Sequence, residues 1–482
     1  MTFLSLVWLV IPFCLGFSIY LIPRSEKILA LMTAIISAAY ASALFLEKAP
    51  LSVQLLNSFG VTLVADQLSA FFILTNALVT AGVVLYCWHS DKNKFFYAQL
   101  AILHGSINAA FICTDLISLY VALEVSGLAA FLLIAYPRGD RSLWVGLRYL
   151  FVSNTAMLFY LVGAVLVYKA SYTFSFEGLA KAPLEAFALI FLGLLVKGGV
   201  FVSGLWLPMT HSESETPVSA MMSGIVVKAG VYPMVRFALL LPEIEPIIRV
   251  LGVGTALLGV FYACFEKDTK RMLAFHTVSQ LGFILAAPEV GGFYALTHGL
   301  VKSSLFLTAG ELPGRNFKEL QKTPIATPVW IALVLASFSI SGFPMLSGFG
   351  AKVLTMKNLL DWQVIGMNLA AFGTAASFAK FIFLPRGGDG KTKPGFWPAA
   401  TLLIGGLFAA NIAYYDAYNV ANVLKPLLTI AAGWAAYWFL IRGTSFKLPT
   451  AWEKFEHLTG AMTLMLIALF WMAFSRSSYI FG

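Results

Sequence analysis

The sequence predicts an all-α polytopic membrane protein, and two properties of its 482 residues carry that prediction. First, 59% of the residues are hydrophobic and only 11% are charged, against about 25% charged residues in a typical soluble domain. Second, apolar runs of about twenty residues recur along the whole chain, and each could cross a ~30 Å hydrocarbon layer as a helix. A soluble globular core is therefore excluded, and the mean hydropathy of +0.83 agrees.

Sixteen apolar runs are candidate membrane spans. The first lacks a preceding basic stretch and a small-residue cleavage site, so we expect a retained helix rather than a signal peptide. The twelfth is too long for one straight helix. The runs lie at approximately 3–22, 28–47, 68–87, 94–113, 115–135, 145–168, 185–207, 217–240, 248–265, 271–287, 291–310, 326–358, 363–384, 398–416, 421–441 and 459–475.

Lysines and arginines cluster in alternate connections, as expected when basic residues are kept on the cytoplasmic side of a membrane. The formal net charge of +9 is therefore interpreted as an orientation signal and not as a nucleic-acid surface. Both termini are predicted on the non-cytoplasmic side of a bacterial inner (plasma) membrane, with an even number of spans between them. The basic connections contain Arg24 and Lys27, Lys92 and Lys94, Arg138 and Arg141, Lys267, Lys270 and Arg271, Arg315, Lys318 and Lys322, and Arg386, Lys391 and Lys393.

One connection departs from this pattern. The segment "MTHSESETP" between spans seven and eight belongs to the basic set, yet it contains Glu213 and Glu215. Because acidic residues contribute little to membrane orientation, the segment is either a functional site or a plain solvated loop.

The connections are too short to hold a soluble domain. The longest are 48–67 and 442–458, so we expect no catalytic head, no nucleotide-binding motif, no iron–sulfur ligands and no cofactor on this chain. The cysteines show no paired spacing, which argues against a metal site and a disulfide framework. Any work must then be driven by an ion gradient or by another polypeptide. The four cysteines are Cys14, Cys87, Cys113 and Cys264.

Five ionisable residues lie near the middle of apolar spans or beside a helix break: Glu124, Lys197, Lys228, Lys302 and Lys352. A charge at that depth costs roughly 2.5–3.5 kcal/mol even on lenient insertion scales. Each residue alone could form a structural ion pair or extend its charged group to the interface. Four lysines and one glutamate cannot all pair, however, so a hydrated line of proton-exchanging groups inside the helix bundle is expected.

Histidines extend this line. His298 lies four residues before Lys302 on the same helix face, and His276 lies in the preceding span within "RMLAFHTVSQLG". Imidazole, with an ordinary pKa near 6.5, is a suitable proton relay, although a single histidine on an apolar helix is more often a plain hydrogen-bonding group. His298 is therefore assigned to the line and His276 is a second candidate relay, whereas His104 in the fourth span is interpreted as structural.

Helix-breaking residues accompany two of the lysines. Lys197 is followed by Gly198 and Gly199, and "SISGFPMLSGFGAK" places several glycines and a proline before Lys352. Irregular backbone at membrane depth is tolerated where it is buried in protein or lines a cavity. Breaks at corresponding points of two halves are typical of inverted-repeat transporters, whereas glycine-mediated packing alone does not explain a lysine beside each break.

These segments resemble the antiporter-like subunits shared by respiratory complex I, membrane-bound hydrogenases and multisubunit Mrp cation/proton antiporters. The resemblance covers roughly residues 60–385, and "SGIVVKAGVY" and "LAFHTVSQ" look most like the D subunit of Mrp antiporters. It implies that Glu124 and Lys197 form a pair and that a proton path continues through Lys228, His298, Lys302 and Lys352. It is carried by "SLYVALEVSG", "LLVKGGVFVSGLWLPMTHSESETPVSAMMSGIVVKAGVY", "DTKRMLAFHTVSQLGF", "ALTHGLVKSSLFLTAGEL" and "SGFPMLSGFGAK".

The resemblance also implies a fourteen-helix core with broken helices 7 and 12, followed by about two further helices. The segments would be 1–93 for helices 1–3, 94–247 and 248–390 for two inverted five-helix repeats, and 391–482 for helices 14–16. The family's Leu-Pro-Asp-Ala-His loop is changed here, since Met209 and Thr210 stand in the Asp and Ala places and Glu213 is the candidate substitute acid. The connection 442–458 is too short for the long lateral helix of the largest complex I antiporter-like subunit.

Two functions remain open on this basis. The chain is expected to be a proton-translocating subunit of an Mrp-type Na⁺(cation)/H⁺ antiporter, or a proton-pumping subunit of NADH-quinone oxidoreductase (complex I) or a membrane-bound hydrogenase. Its expected partners are other membrane subunits, the lipid bilayer, protons and, for an antiporter, Na⁺. No cluster of intramembrane carboxylates is evident, so a sodium site is expected on a partner subunit or elsewhere in the complex. A non-conducting scaffold would give no reason to retain the buried charges.

Overall fold

The computed structural model describes residues 2–56, 60–388, 390–444, 446, 449 and 453–480. Each of the sixteen predicted spans coincides either with one helix or with consecutive helical segments separated by a break. The described α-helices are α1 Thr2–Leu21, α2 Glu26–Leu46, α3 Gln67–Tyr86, α4 Lys94–Ala110, α5 Leu116–Ile134, α6 Asp140–Ser171, α7 Leu184–Gly198, α8 Leu207–Glu213, α9 Thr216–Met221, α10 Lys228–Leu240, α11 Glu245–Phe265, α12 Thr269–Ala286, α13 Gly291–Ala309, α14 Phe317–Leu320, α15 Thr327–Ser341, α16 Ser347–Lys357, α17 Asp361–Ile382, α18 Phe396–Ile412, α19 Val420–Ala436 and α20 Phe455–Ile480.

Fewer helices than sixteen satisfy a strict test for crossing a membrane. By length and composition alone, eleven helical stretches of the described chain pass, or up to twelve when α12 and the stretch Pro288–Ala309 are taken as one span bent by 106°. α15 and α18 are apolar but shorter. The count of sixteen spans, the inverted repeats and the boundaries at 93, 247 and 390 therefore stay predictions.

Two short sheets that the sequence analysis does not predict lie among the helices of this mostly helical fold. β1 (Leu51–Leu56) and β2 (Gly60–Ala65) form an antiparallel hairpin with Leu51 opposite Ala65, where a plain connection was expected. β3 (Ile325–Ala326) pairs in parallel with β4 (Arg386–Gly388). The hairpin sequence is rich in valine and leucine, and Val64 N donates to Ile112 O at 2.7 Å, so the chain before α5 gives β2 a further partner.

The basic connections all meet at one end of the molecule, which we call the basic end. Hydrogen bonds and salt bridges join neighbouring connections there, as the alternating charge pattern predicts. The joining contacts are Lys27 Nζ to Trp88 O (2.7 Å), Lys92 to Glu215 (2.6 Å), Arg141 to Glu213 (3.3 Å), Lys270 Nζ to Ser214 O (3.0 Å) and Thr269 N to Arg315 O (2.8 Å). The β1–β2 hairpin lies at the other end, which we call the opposite end.

These contacts also explain the acidic connection. Glu213 pairs with Arg141 of α6, and Glu215 pairs with Lys92, which precedes α4. Both carboxylates are therefore neutralised by neighbouring connections, and the segment is not a plain solvated loop. Thr210 is also buried, and its hydroxyl donates to Trp206 O at 3.0 Å within the same helical stretch.

The last described helix returns to the first half of the molecule. α19 packs on α17, whereas α20 packs on α7. Glu453, just before α20, binds Arg271 of α12 through both carboxylate oxygens at 2.6 and 3.0 Å, and its carbonyl accepts from Arg148 of α6. The short connection before α20 thus crosses between the halves although it contains no long lateral helix in its described residues.

Candidate functional site

The two broken helices end in the same way. Gly199 caps α7 and Gly342 caps α15, with φ values of 66° and 87° in the left-handed region that favours glycine. In both, two successive amides bond back to carbonyls three and five residues earlier, a pattern that stops a helix sharply. These bonds are Gly199 N to Val196 O (3.2 Å), Val200 N to Leu195 O (2.9 Å), Gly342 N to Ser339 O (3.0 Å) and Phe343 N to Phe338 O (2.9 Å). Both predicted breaks are confirmed.

Lys197 lies in the last turn of α7 and is only 3% exposed. Its Nζ donates to Ser153 Oγ of α6 at 2.9 Å. Gly127 of α5 leaves the room for this ammonium group, because a Cβ atom there would lie 2.5 Å from Nζ. The sequence therefore builds a close-fitting pocket for one ammonium group between α5, α6 and α7.

Glu124 lies one helical turn before Gly127 on a half-buried face of α5. Its Oε1 atom is buried and has no hydrogen-bond partner. No salt bridge joins it to Lys197, although its charge acts on that lysine. The structure thus places the two groups near each other but not in the direct pair that the family resemblance implies, because the ammonium group turns to Ser153 instead.

Lys228 is the first residue of α10 and is fully buried. A π-helical turn, Met222–Val226, precedes it, and such turns leave carbonyl groups free for side chains. The ammonium group uses this feature, since Nζ donates to Gly224 O and, at 3.3 Å, to Ser223 O. A Cβ atom at Gly299 of α13 would lie 3.7 Å from Nζ, so Lys228 sits against the helix that carries the next candidate residues.

α13 carries His298 and Lys302 one turn apart, and both are buried. Lys302 Nζ donates to Leu273 O of α12 and lies 5.2 Å from the centre of the Phe306 ring. Neither ring nitrogen of His298 has a hydrogen-bond partner. His298 is therefore a buried imidazole whose two nitrogens are both available, next to two lysines that act on it electrostatically.

Lys352 follows the second break and is 6% exposed. Its Nζ has no hydrogen-bond partner and lies 5.4 Å from the centre of the Phe283 ring. A cavity of about 10 Å³, close to the least that holds one water molecule, is lined by both Lys352 and His298. The terminal lysine of the predicted line therefore shares a space with the histidine before it.

The two remaining histidines of the sequence analysis differ. His276 Nε2 contacts Ser377 Oγ of α17, while its Nδ1 is buried without a partner. His104 is hydrogen-bonded through both ring nitrogens, to Ser37 Oγ at 2.8 Å and to Thr80 Oγ1 at 3.0 Å. It lies in a polar network between α2, α3 and α4, away from the lysine line, as its structural interpretation requires.

The sequence analysis does not predict the burial of His211, Lys270 and Lys380. His211 of α8 is fully buried, and neither of its ring nitrogens has a partner; it lies against Phe306, whose ring also contacts Lys302. Its position in the family's Leu-Pro-x-x-His pattern could have identified it, but the segment was assigned to a connection. Lys270 and Lys380, 8% and 7% exposed, were overlooked because they lie near helix ends.

A second polar cluster lies at the opposite end of α10. The Arg236 guanidinium binds both carboxylate oxygens of Asp66, the residue that caps α3, and also contacts Ser69 Oγ at 3.2 Å and Tyr232 Oη. Burial alone would raise the pKa of Asp66, but the hydrogen bonds and charge of Arg236 outweigh it and lower that pKa below its usual 3.8. The pair ties α10 to the start of α3.

The line of buried lysines has no carboxylate partners. None of the salt bridges among the described residues involves Lys197, Lys228, Lys302 or Lys352. Within the same part of the chain, no group of three or more His, Cys, Asp or Glu residues is arranged to hold a metal ion. The site is a row of buried ionisable side chains that contact hydroxyl groups, carbonyl groups and aromatic rings.

Comparison with known proteins identifies the family and the fold. The family described as "NADH:quinone oxidoreductase/Mrp antiporter, TM" matches residues 113–378. The N subunit of the NADH-quinone oxidoreductase of Desulforudis audaxviator is 33% identical over 330 residues, which cover 61% of this chain and 66% of that protein. The D subunit of the Na(+)/H(+) antiporter of Alkalihalophilus pseudofirmus is 28% identical over 325 residues, with the same coverage. The match thus spans just under two thirds of the length of either relative.

Solved structures show the same fold. One chain in the structure of the membrane-bound sulfane sulfur reductase, an archaeal respiratory membrane complex, matches with a TM-score of 0.77 and 20% identity over 90% of this chain and 99% of that chain. A chain in the structure of the Mrp complex from Dietzia sp. matches with a TM-score of 0.73 and 21% identity over 94% and 98%. The predicted helical membrane fold and the resemblance are confirmed.

Proposed function

This chain belongs to the NADH:quinone oxidoreductase/Mrp antiporter transmembrane family, and from that premise we propose that it translocates protons as a membrane subunit of a multisubunit Mrp-type cation/proton antiporter. Protons would pass along Lys197, Lys228, His298, Lys302 and Lys352, with Glu124 acting on Lys197 from a distance and His276 as a further relay. Membrane subunits of the same complex are its partners.

One observation carries the proposal: four lysines are almost completely buried without any carboxylate partner. A buried, uncompensated charge costs several kcal/mol, and no ion pair has to break before its proton moves. A structural role would be served better by apolar residues of similar volume. The cavity shared by His298 and Lys352 and the two unpaired nitrogens of His298 support transfer between neighbouring helices.

The orientation and the second ion follow from other features. The basic end is placed in the cytoplasm, because lysine and arginine are retained on that side of a membrane, and we assign the chain to a bacterial inner membrane. The described spans supply only Glu124 as a candidate carboxylate near the lysine line. The Na⁺ site is therefore assigned to a partner subunit.

A second function is favoured by a specific observation. The relative from a quinone oxidoreductase is 33% identical and the antiporter relative 28%, and the respiratory complex gives the higher of the two TM-scores. In that case the same lysine line would be the proton pump of a redox complex, and electron transfer in partner subunits would drive it.

Replacing Lys197 tests proton translocation. Lys197→Ala removes the ammonium group held by Ser153 and Gly127, so transport by membrane vesicles should be abolished while the complex still assembles on a native gel. Lys169→Ala is the matched control, because Lys169 is exposed at the end of α6. Normal transport by an assembled Lys197→Ala complex would contradict the proposal.

The identity of the complex is tested separately by purification. A tagged chain extracted in mild detergent from its native membrane is analysed by mass spectrometry together with its co-purifying subunits. Small hydrophobic subunits without flavin or iron support the antiporter. Flavin- and iron–sulfur-containing subunits would replace it with the redox pump.

A further inference from the structure

Lys380 is a buried lysine that the proposed path does not use. It lies in the last turn of α17, is 7% exposed, and its Nζ donates to Ala263 O at 3.1 Å and Glu266 O at 2.9 Å at the end of α11. Cys264, Glu266 and Lys267 are the titratable groups that act on it. Lys380 is thus a buried lysine near the basic end.

A cleft of about 70 Å³ reaches Lys380 from the surface of the basic end. That volume holds several water molecules, and one water molecule needs about 10–15 Å³. Its walls come from the ends of α11 and α17, from α14 and from the turn after α19, and they include Cys264, Phe317, Gln321 and Tyr437. Water therefore has room beside the ammonium group.

The next polar group inward is one helical turn away. Ser377 precedes Lys380 by three residues on α17, so the two side chains share a face of that helix. Ser377 Oγ contacts His276 Nε2 of α12, and both side chains are fully buried. This contact connects α17 to α12 at a depth that the cleft does not reach.

His276 in turn lies near Lys302. Lys302 Nζ donates to Leu273 O, one turn before His276 on α12. The charges of Lys302, Lys352 and Lys380 all act on His276, and its Nδ1 has no partner. The His276 imidazole therefore lies between Lys380 at the cleft and two lysines of the line, Lys302 and Lys352.

We propose that Lys380, Ser377 and His276 form a proton-access route from the basic end to Lys302. This inference rests on the proposed function, and it names the residues through which protons from water at the basic end reach the lysine line. A proton leaves Lys380 Nζ for a water molecule that passes one to Ser377 Oγ, and the hydroxyl proton of Ser377 moves to His276 Nε2. His276 then protonates Lys302, and water in the cleft returns a proton to Lys380, so that one proton has moved inward.

The competing explanation is that Lys380 only caps α11. Its two bonds to carbonyl groups at the end of that helix fit such a role, since cations stabilise helix C-termini. The two explanations differ in one requirement. A cap needs a donor with a positive charge, whereas a relay needs a group that releases its proton.

Lys380→Arg separates the two roles. Arginine keeps the charge and the donors but does not deprotonate in proteins. We expect an assembled complex, shown on a native gel, whose proton transport in vesicles falls at least tenfold. Lys322→Arg, an exposed residue of the same end, is the control and should transport normally. Transport by Lys380→Arg equal to this control would overturn the route and leave Lys380 as a cap.

Water access to Lys380 gives a readout that needs no transport. In a chain with Cys264→Ala, Lys380→Cys, on the wall of the cleft, should react with a membrane-impermeant thiol reagent applied from the side of the basic end, and not from the other side. Ser106→Cys, buried in α4, should stay unreacted. A Lys380→Cys thiol that is as unreactive as this control would show that the cleft is dry and overturn the inference.

The outcomes distinguish this inference from the proposed function. If Lys197→Ala abolishes transport while Lys380→Arg transports normally, the lysine line stands and the access route falls. If the unmodified complex moves no protons, the proposed function fails and the route fails with it.

Discussion

Gly127→Ala is the most direct test of the Lys197 pocket. The new Cβ atom would lie 2.5 Å from Lys197 Nζ, whereas ordinary contacts begin at 3.4 Å. The helix itself tolerates the change, since alanine is favoured over glycine by about 1 kcal/mol in a helix interior. The flexible end of the lysine side chain must therefore move by about 1 Å while the fold is retained.

The expected loss of transport follows from the hydrogen bond that this movement breaks. Lys197 Nζ and Ser153 Oγ are 2.9 Å apart, and a further separation of about 1 Å takes them beyond hydrogen-bonding distance. A hydrogen bond to a charged group contributes about 1.5–3 kcal/mol. If the step that uses the Lys197 ammonium limits transport, the rate should fall about ten- to a hundredfold.

Proton uptake by everted vesicles, followed with a pH-sensitive dye and normalised to assembled complex, measures this effect. Gly405→Ala in α18 is the matched control, because a Cβ atom there would meet no atom within 4 Å. Ser153→Ala should cause a similar loss, and the double variant should be no worse than either single one, since both remove the same bond. Transport by Gly127→Ala within twofold of Gly405→Ala would refute the reasoning.

Two further predictions concern the Asp66–Arg236 pair and the second helix break. Asp66→Asn should lower the stability of the purified complex by about 2–3 kcal/mol at pH 7, because it leaves the Arg236 guanidinium without its carboxylate. Since the pKa of Asp66 is lowered in the fold, its contribution is present above pH 3.8 and is lost as the pH falls through the folded-state value. Thermal unfolding measured against pH should therefore show the difference from the unmodified complex shrinking in acid, and a constant difference would contradict the assignment; Asp91→Asn, in an exposed connection, is the control. Gly342→Ala forces alanine to adopt a φ of 87° and places Cβ 2.9 Å from Lys352 Cδ, so transport should fall about tenfold, in line with about 1–3 kcal/mol of backbone strain. Gly350→Ala, whose Cβ would meet its neighbours at 3.5 and 3.6 Å, should be nearly normal in the same vesicle assay, and equal activity of the two variants would count against a fixed break.

The sequence predicts the helices and the breaks because both depend on local chemistry. Twenty apolar residues require a helix in lipid, and the glycines at Gly199 and Gly342 permit a backbone conformation that other residues avoid. β1 and β2 pair with each other locally, but the further bond that β2 receives comes from the chain before α5, about fifty residues further along, and the sequence analysis missed it. Pairing between distant segments is not encoded in the pattern of either one.

The candidate site was predictable in composition but not in contacts. Charged residues inside apolar spans identify the lysines, yet hydropathy does not tell which atom an ammonium group meets. The pocket at Gly127 and Ser153 draws Lys197 away from a direct bond with Glu124, and this choice depends on the packing of three helices. His211 and Lys380 were missed for a related reason, because burial near a helix end comes from neighbouring connections and not from the residue's own segment.

The packing of α20 on α7 has a consequence for biogenesis. About half of the chain is synthesised between these two helices, which at about 5–20 residues per second takes on the order of tens of seconds. Throughout that interval α7 lies in the bilayer or the insertion machinery without the helix that later covers it. The face of α7 that packs on α20 is therefore covered late, after most of the subunit has already been inserted.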